Sequence, residues 1–336
     1  MRKVTLDKWK KLYNLALEIG AFEPWKKYWD QDLFVIQTDP DKEENFVSIL
    51  GKGGECKGIS LYQGFSGYSD LCQLSSANSN LTDSFVLSDQ NCLVAYWDKQ
   101  EIVPDYCWEI IEKLDFPFSK DGYIFFQSFQ KRSFPCLPEA DEVDALIDTY
   151  EGLLYALKNV DYDLIDFENG EIIFISKTED GQWTDFPLPR PMEPLRYPTL
   201  RMDDDELMDE LKNQEVNTME LAIDMDYLLF PIFDEGYERP INPLAYVFYD
   251  LSCDQIVGFD LVHPDYDESD VIMSQLIDII QEEGRPKNIY AKNPYILNWI
   301  SDFCQELDIQ LIDDPIEELN DVYEMLDTIK NMEGLG

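Results

Sequence analysis

Residues 245–312 constrain the fold of this chain more than any other stretch. Its opening, AYVFYDLSCDQIVGFDLVHP, predicts two strands joined by a turn, with Asp250 at the end of the first strand. Two helix-then-strand steps follow, the first ending in NIYA and the second in IQLID. Apolar residues at every third or fourth position are typical of helices, and short apolar runs are typical of buried strands. The stretch therefore predicts an α/β domain over residues 201–336.

The first part of the chain predicts a separate α+β domain over residues 1–158. Residues 5–20 place their apolar side chains on one helical stripe, and a second stripe runs from Val143 to Leu157. Short runs of apolar and β-branched residues between these helices predict strands, among them 32–37, 45–51, 56–64, 93–97 and 123–129.

Residues 159–200 predict a hairpin followed by a proline-rich connector. YDLIDF and EIIFIS flank the dipeptide Asn169-Gly170, which favours a tight hairpin turn. Residues 186–198 contain five prolines in thirteen positions, and such a segment is typical of an extended linker. We therefore expect the domain boundary to lie here.

The charge of the chain is strongly negative and unevenly distributed. It holds 69 acidic and 26 basic residues, a net charge of −43. Residues 1–60 are balanced, with ten of each sign, whereas residues 241–336 hold 21 acidic against 4 basic residues. Such a surface repels phosphate backbones and anionic membranes and attracts basic protein surfaces. The sequence contains no run of about 18 apolar residues, so it predicts no membrane-spanning helix.

The cysteines and the histidine argue against a zinc site. The seven cysteines form no CxxC pair, which indicates free thiols in a reducing cytoplasm. His263 is the only histidine, and it lies between the second strand of residues 245–262 and Pro264. It is a candidate catalytic base, although its position favours a structural or exposed side chain.

Several segments of the chain are similar to those of a known group of proteins. They are WKKLYNLALE, EPWKKYWDQDLFVIQ and SFQKRSFPCLPEADEVDALIDTYEGLLYAL in the N-terminal part, and GRPKNIYAKNPYILNWISDFCQELDIQL in the C-terminal part. Through these segments the chain resembles uncharacterised bacterial proteins built from two adjacent domains of unknown function. The resemblance covers most of the chain and implies no established activity.

The C-terminal domain also resembles the ribonuclease H-like fold of nucleases and integrases, through its order of strand, turn and strand followed by alternating helices and strands. That resemblance implies divalent cations held by converging carboxylates, with Asp250 as a first-strand ligand and Glu282 or Glu318 as helix ligands. Lys292-Asn293 stands where a second-strand carboxylate is expected, and a lysine opposes bound cations. The pattern therefore favours a scaffold without a metal site.

Together these observations predict a cytoplasmic, non-catalytic protein whose acidic C-terminal two thirds binds a basic protein surface, without a cofactor. Two alternatives remain open. One is a divergent metal-dependent phosphodiesterase or other hydrolase that uses Asp250 and a divalent cation. The other is an acidic inhibitor that mimics DNA.

Overall fold

The computed structural model describes residues 4–54, 56–76, 80–116, 118, 122–194, 196–314, 316 and 319. The chain divides into two compact units, neither of which is continuous in sequence. The first unit comprises Met1–Ser75, Gln90–Lys131 and Pro135–Pro194, and the second comprises Ser76–Asp89, Arg132–Phe134 and Leu195–Gly336. This division differs from the one expected from the sequence, because two short segments of the N-terminal half complete the second unit.

The described residues form eight helices and twelve strands, apart from short 3₁₀ turns. The helices are α1 (Leu6–Ala21), α2 (Gly64–Ser75), α3 (Asp83–Ser88), α4 (Asp105–Leu114), α5 (Ala140–Asn159), α6 (Asp205–Lys212), α7 (Glu268–Glu283) and α8 (Pro294–Glu306). The strands are β1 (Phe34–Gln37), β2 (Asn45–Leu50), β3 (Gly58–Gln63), β4 (Cys92–Asp98), β5 (Tyr123–Phe129), β6 (Glu171–Lys177), β7 (Trp183–Pro189), β8 (Glu220–Tyr227), β9 (Leu244–Asp250), β10 (Gln255–Val262), β11 (Asn288–Ala291) and β12 (Gln310–Asp313).

The first unit is built on a seven-stranded sheet with the order β5-β4-β3-β2-β1-β6-β7. Neighbouring strands are antiparallel except β1 and β6, which are parallel. Helices α1 and α5 pack against each other and contribute their apolar stripes to the main core of this unit. A capping box between Glu139 and Glu142 fixes the start of α5, because each side chain bonds to the other residue's main chain.

The hairpin of residues 159–200 lies later in the chain than the sequence suggests. Residues 162–169 form two short 3₁₀ turns, and the hairpin partner of β6 is β7. Pro187 and Pro189 fit this strand because β7 is an edge strand, where a missing N–H leaves no ladder bond unmade. The hairpin extends the first sheet, so this region is part of the first unit.

The second unit is built on a five-stranded sheet with the order β10-β9-β8-β11-β12. Strands β8, β9 and β10 form an antiparallel meander, and β8 is parallel to β11, which is parallel to β12. Asp250 therefore ends the middle strand of a three-strand meander, which corrects the expectation that it ends the first. The apolar stripes of α7 and α8 pack on one face of the sheet.

The opposite face of this sheet holds a smaller apolar cluster. Ile316 and Leu319 pack there with Ala222, Val247 and Tyr249. Apolar residues at every third or fourth position also predict a helix from Pro315 onwards, and the rest of that helix lies outside the described residues. Within the described part of the chain, the helices are all too short or too polar to cross a membrane.

Candidate functional site

Asp250 closes the turn between β9 and β10. Its carboxylate accepts hydrogen bonds from the main-chain N–H groups of Ser252 at 2.9 Å and Glu220 at 3.3 Å, and from the Cys253 thiol at 3.2 Å. Desolvation raises the pKa of Asp250, but these hydrogen bonds outweigh it and hold the pKa below its ordinary value. Asp250 therefore accepts hydrogen bonds from the turn and from the neighbouring strand β8.

The other residues proposed from the sequence do not join Asp250. His263 is exposed, accepts a hydrogen bond from the Asp265 main chain at 3.3 Å, and contacts the ring of Tyr266. Glu282 is exposed near the end of α7. Glu318 lies outside the described residues. Over the described ranges, no group of three or more histidine, cysteine, aspartate or glutamate side chains could hold a metal ion.

Two aspartates that the sequence reasoning missed lie at the centre of the second unit. Asp224 and Asp226, here called the buried aspartate pair, are on β8, and their side chains are 4% and 8% exposed. They are two positions apart, so they lie on the same face of the sheet. The available signal was the D-x-D pattern in LAIDMDYLL, because carboxylates inside an apolar strand are costly unless they are compensated.

Hydrogen bonds from α3 hold Asp226. The Thr82 hydroxyl donates to its carboxylate at 2.7 Å, and the Ser84 hydroxyl donates at 3.1 Å. Thr82 also caps the N-terminus of α3 by accepting from the main chain of Phe85. The segment 76–89 therefore supplies both the cap of its own helix and the polar partners of a buried carboxylate in the second unit.

Lys292 follows β11, and its charge acts on the buried aspartate pair. Burial raises the pKa of Asp224 to about 7, and the neighbouring Asp226 adds to this, while the Lys292 ammonium and a hydrogen bond from the Met225 main chain oppose it. Burial also raises the pKa of Asp226, against the hydrogen bonds from α3 and the same ammonium. Asp224 can therefore exchange a proton near neutral pH.

This pair does not fit the divalent cation that the ribonuclease H-like resemblance implies. Magnesium takes six oxygen ligands, and calcium takes six to eight. The described residues offer two carboxylates here together with the lysine ammonium, which repels a metal ion. We derive no metal-dependent step at this position.

A second polar feature is a cleft of about 480 Å³ in the first unit, here called the acidic cleft. Asp141, Asp144 and Asp148 line it from one side of α5, because spacings of three and four residues share a helix face. The remaining lining residues come from the ends of β1 to β3 and from α5, and they are Thr38, Lys42, Glu43, Asn45, Gln63, Gly64 and Ala145.

Lysines of this chain partly compensate the acidic cleft. Lys8 Nζ lies 2.6 Å from Asp144, and Lys42 Nζ lies 4.0 Å from Asp148. Glu43 and Asp141 form no ion pair with any other described residue. Four carboxylates thus face the cleft, and Lys42 is the one basic residue among those that line it. Electrostatically, the cleft favours a positively charged ligand.

Comparisons with known proteins identify two domains. Residues 9–175 match the model of a domain of unknown function (DUF7309), and residues 207–327 match that of a second domain of unknown function (DUF6930). The chain therefore contains two adjacent domains of unknown function. A search of curated proteins gave no match.

Among solved structures, the chain is similar to the HTLV-2 integrase catalytic core domain in complex with magnesium. The identity is 14%, the TM-score is 0.24, and the match covers 34% of this chain and 73% of the integrase chain. It is also similar to a simian T-cell lymphotropic virus intasome in complex with the PP2A regulatory subunit B56 gamma. There the identity is 15%, the TM-score is 0.23, and the coverage is 38% of this chain and 48% of the other. Scores this low support no argument about the site.

Proposed function

We propose that this chain of two adjacent domains of unknown function is a non-catalytic protein that binds a basic protein partner. The observation that supports the proposal best is the acidic cleft. Its carboxylates come from two separate parts of the chain, Glu43 after β1 and three aspartates on α5, and they face a shared space of about 480 Å³. That space is large enough for a lysine or arginine side chain of a partner.

The chemistry of the cleft favours a guanidinium or ammonium group. Carboxylates form charge-assisted hydrogen bonds with such groups, and an arginine can bond two oxygens at once. Asn45 is 7% exposed at the wall of the cleft, where its amide nitrogen donates to Thr149 Oγ1 at 3.0 Å. This bond fixes the Asn45 side chain in position beside the carboxylates.

The same charge disfavours other classes of partner. A net charge of −43 repels nucleic acid and anionic membranes beyond the cleft as well as within it. We place the protein in the cytosol of a bacterium, where reducing conditions keep its seven cysteines as free thiols. No cofactor takes part in this proposal.

For the second unit we infer a ribonuclease H-like arrangement that serves as a scaffold. Support comes from the meander of β8, β9 and β10 followed by two helix–strand steps. The hydrolase alternative has less support at Asp250, because its carboxylate accepts hydrogen bonds from the β9–β10 turn and from β8. The DNA-mimic alternative predicts a partner that also binds DNA, and DNA would then compete with this protein.

The test is the binding of a fluorescent nona-arginine peptide, measured by anisotropy at low and at physiological salt. We expect the triple variant Asp141→Asn, Asp144→Asn, Asp148→Asn to weaken binding at least tenfold, because three charge-assisted contacts are lost. The matched control is Glu101→Gln, Asp105→Asn, Glu112→Gln, which removes the same charge from exposed positions in and near α4. We expect the control to weaken binding less than threefold.

Equal weakening by the two triple variants would show that net charge alone attracts the peptide, and the cleft proposal would be wrong. Absence of binding to the wild-type protein at low salt would contradict the proposed function as a whole. Circular dichroism of each variant confirms that the folded state is retained.

A further inference from the structure

The strand register brings Lys292 beside the buried aspartate pair. Strands β8 and β11 are parallel neighbours, with Tyr290 opposite Ala222 at the end of their paired residues. Continuing the register by two positions sets Lys292 opposite Asp224. The Tyr290 hydroxyl donates to the Glu220 carboxylate at 2.6 Å, which shows that the even-numbered residues of both strands lie on the same face.

The surroundings of the pair favour a cation beside the charged form of its carboxylates. Asp224 and Asp226 are nearly inaccessible to solvent, and a buried carboxylate is strongly destabilising unless it is paired or hydrogen-bonded. Hydroxyl groups from α3 partly compensate Asp226. The positive charge of Lys292 acts on Asp224 and favours its ionised form.

We infer that the ε-ammonium of Lys292 is the resident cation of the buried aspartate pair and takes the place that a divalent metal ion would otherwise need. Two carboxylates and one ammonium leave a net charge of −1 at this position. A metal ion could enter only after the lysine had left, because two cations among so few ligands repel each other. The second unit thus carries its own counter-ion and folds without a metal.

This inference is independent of the acidic cleft, which lies in the first unit. It concerns the charge balance of the second unit and holds whether or not the protein binds a basic partner. It explains why a lysine follows a buried strand that ends beside two aspartates. If the aliphatic part of Lys292 only packed against apolar surface, the contribution of Lys292 to stability would not depend on Asp224.

The experiment is a double-mutant cycle at pH 8, measured by urea unfolding of the full chain. The variants are Asp224→Asn, Lys292→Met and the combination of both. We expect Lys292→Met to raise the unfolding equilibrium constant at least tenfold in the wild-type background and less than threefold in the Asp224→Asn background, because the lysine then has less charge to balance. The control Lys287→Met, at the exposed start of β11, is expected to change it less than threefold.

Equal effects of Lys292→Met in both backgrounds would overturn the inference, since a packing role does not depend on Asp224. If Lys292→Met does not fold, the double variant decides. Recovery of folding in the double variant supports the inference, and failure of both contradicts it.

Thermal unfolding with added Mn²⁺ or Mg²⁺ tests whether Lys292 takes the place of a divalent metal ion. We expect millimolar concentrations of either ion to leave the wild-type Tm unchanged within one degree. A cation-dependent rise in wild-type Tm that Asp224→Asn abolishes would show that a metal ion, not Lys292, is the partner of the pair.

Discussion

At the scale of single residues, Asp224 and Asp250 show that local hydrogen bonding decides how a buried carboxylate behaves, since the two residues are 4% and 7% exposed. Both are aspartates on neighbouring strands, and Asp250 lies opposite Leu221, three positions or about 10 Å along β8 from Asp224. Hydrogen bonds from a turn lower the pKa of Asp250, whereas burial raises the pKa of Asp224. Residue type and strand position alone do not distinguish these two outcomes.

The raised pKa of Asp224 predicts a specific dependence of stability on pH. Asp224 has an ordinary pKa of about 4 in the unfolded chain and about 7 in the folded protein, so between these values the folded state binds more protons. Its contribution to stability is therefore fully present below pH 4 and falls as the pH rises through 7. The integrated loss is on the order of 4 kcal/mol, at about 1.4 kcal/mol per pKa unit.

Urea unfolding of the wild-type protein and of Asp224→Asn at pH 5 and pH 8 measures this effect. We expect the wild type to lose more stability than Asp224→Asn on going from pH 5 to pH 8, by about 2–3 kcal/mol, because this range covers only part of the interval between the unfolded and folded pKa values. Asp278→Asn removes an exposed carboxylate on α7 and should follow the wild type. Parallel pH profiles for the wild type and Asp224→Asn would contradict the prediction.

At the scale of elements, α5 is held close to the first sheet by a glycine. Gly152 lies on the buried side of this helix, and a Cβ built there would come 2.7 Å from Ile36 Cγ2 and 3.0 Å from the Trp183 ring. Ile36 is fully buried on β1, so it cannot move into solvent. The absence of a side chain at Gly152 therefore sets the distance between helix and sheet.

We expect Gly152→Ala to destabilise the protein although alanine is the better helix former. The helix preference contributes about 1 kcal/mol in favour of alanine, whereas forcing a methyl group into a packed core costs about 1–3 kcal/mol. The net expectation is a loss of up to about 2 kcal/mol in urea unfolding. In the Ile36→Ala background the nearest contact is removed and only the contact with the Trp183 ring remains, so the same substitution should cost less. A loss of equal size there would show that the Ile36 contact is not the cause.

The elements also show what the sequence could predict. The spacing of apolar residues correctly predicted α1, α5, α7 and α8, because each of these helices buries one face and exposes the other to water. The pattern of residues 219–233 also predicts a strand, and the structure has one there in β8. Its place beside β9 does not follow from the pattern, since pairing between distant strands depends on the whole sheet. The buried aspartate pair was missed because its compensation comes from α3, more than 130 residues earlier in the chain.

At the scale of the whole molecule, the segment 76–89 is a structural part of the second unit. Phe85 contributes to the main core of that unit. Asp89, 4% exposed, accepts hydrogen bonds from Arg196 at 2.9 Å and from the Tyr295 hydroxyl at 2.7 Å. Without this segment, Arg196 and Tyr295 would lose their carboxylate partner, and Asp226 would lose its hydroxyl partners.

We therefore expect a fragment of residues 196–336 to remain unfolded or only partly folded. Circular dichroism and urea unfolding check this: the fragment should lack a cooperative transition. A synthetic peptide of residues 76–91 added in trans is expected to restore one, and its Phe85→Ala, Asp89→Asn variant is the control that should not. Cooperative unfolding of the fragment alone would contradict the structural role given to the segment.

The discontinuous chain path of the second unit has a consequence for how the protein is made. Synthesis proceeds from the N-terminus, and domains fold as their residues become available. Here residues 76–89 emerge from the ribosome more than 100 residues before the strands that they complete. They cannot make these contacts until the later residues of the second unit have been synthesised, so a ribosome stalled near residue 200 would hold a nascent chain with Phe85 exposed and available to chaperones.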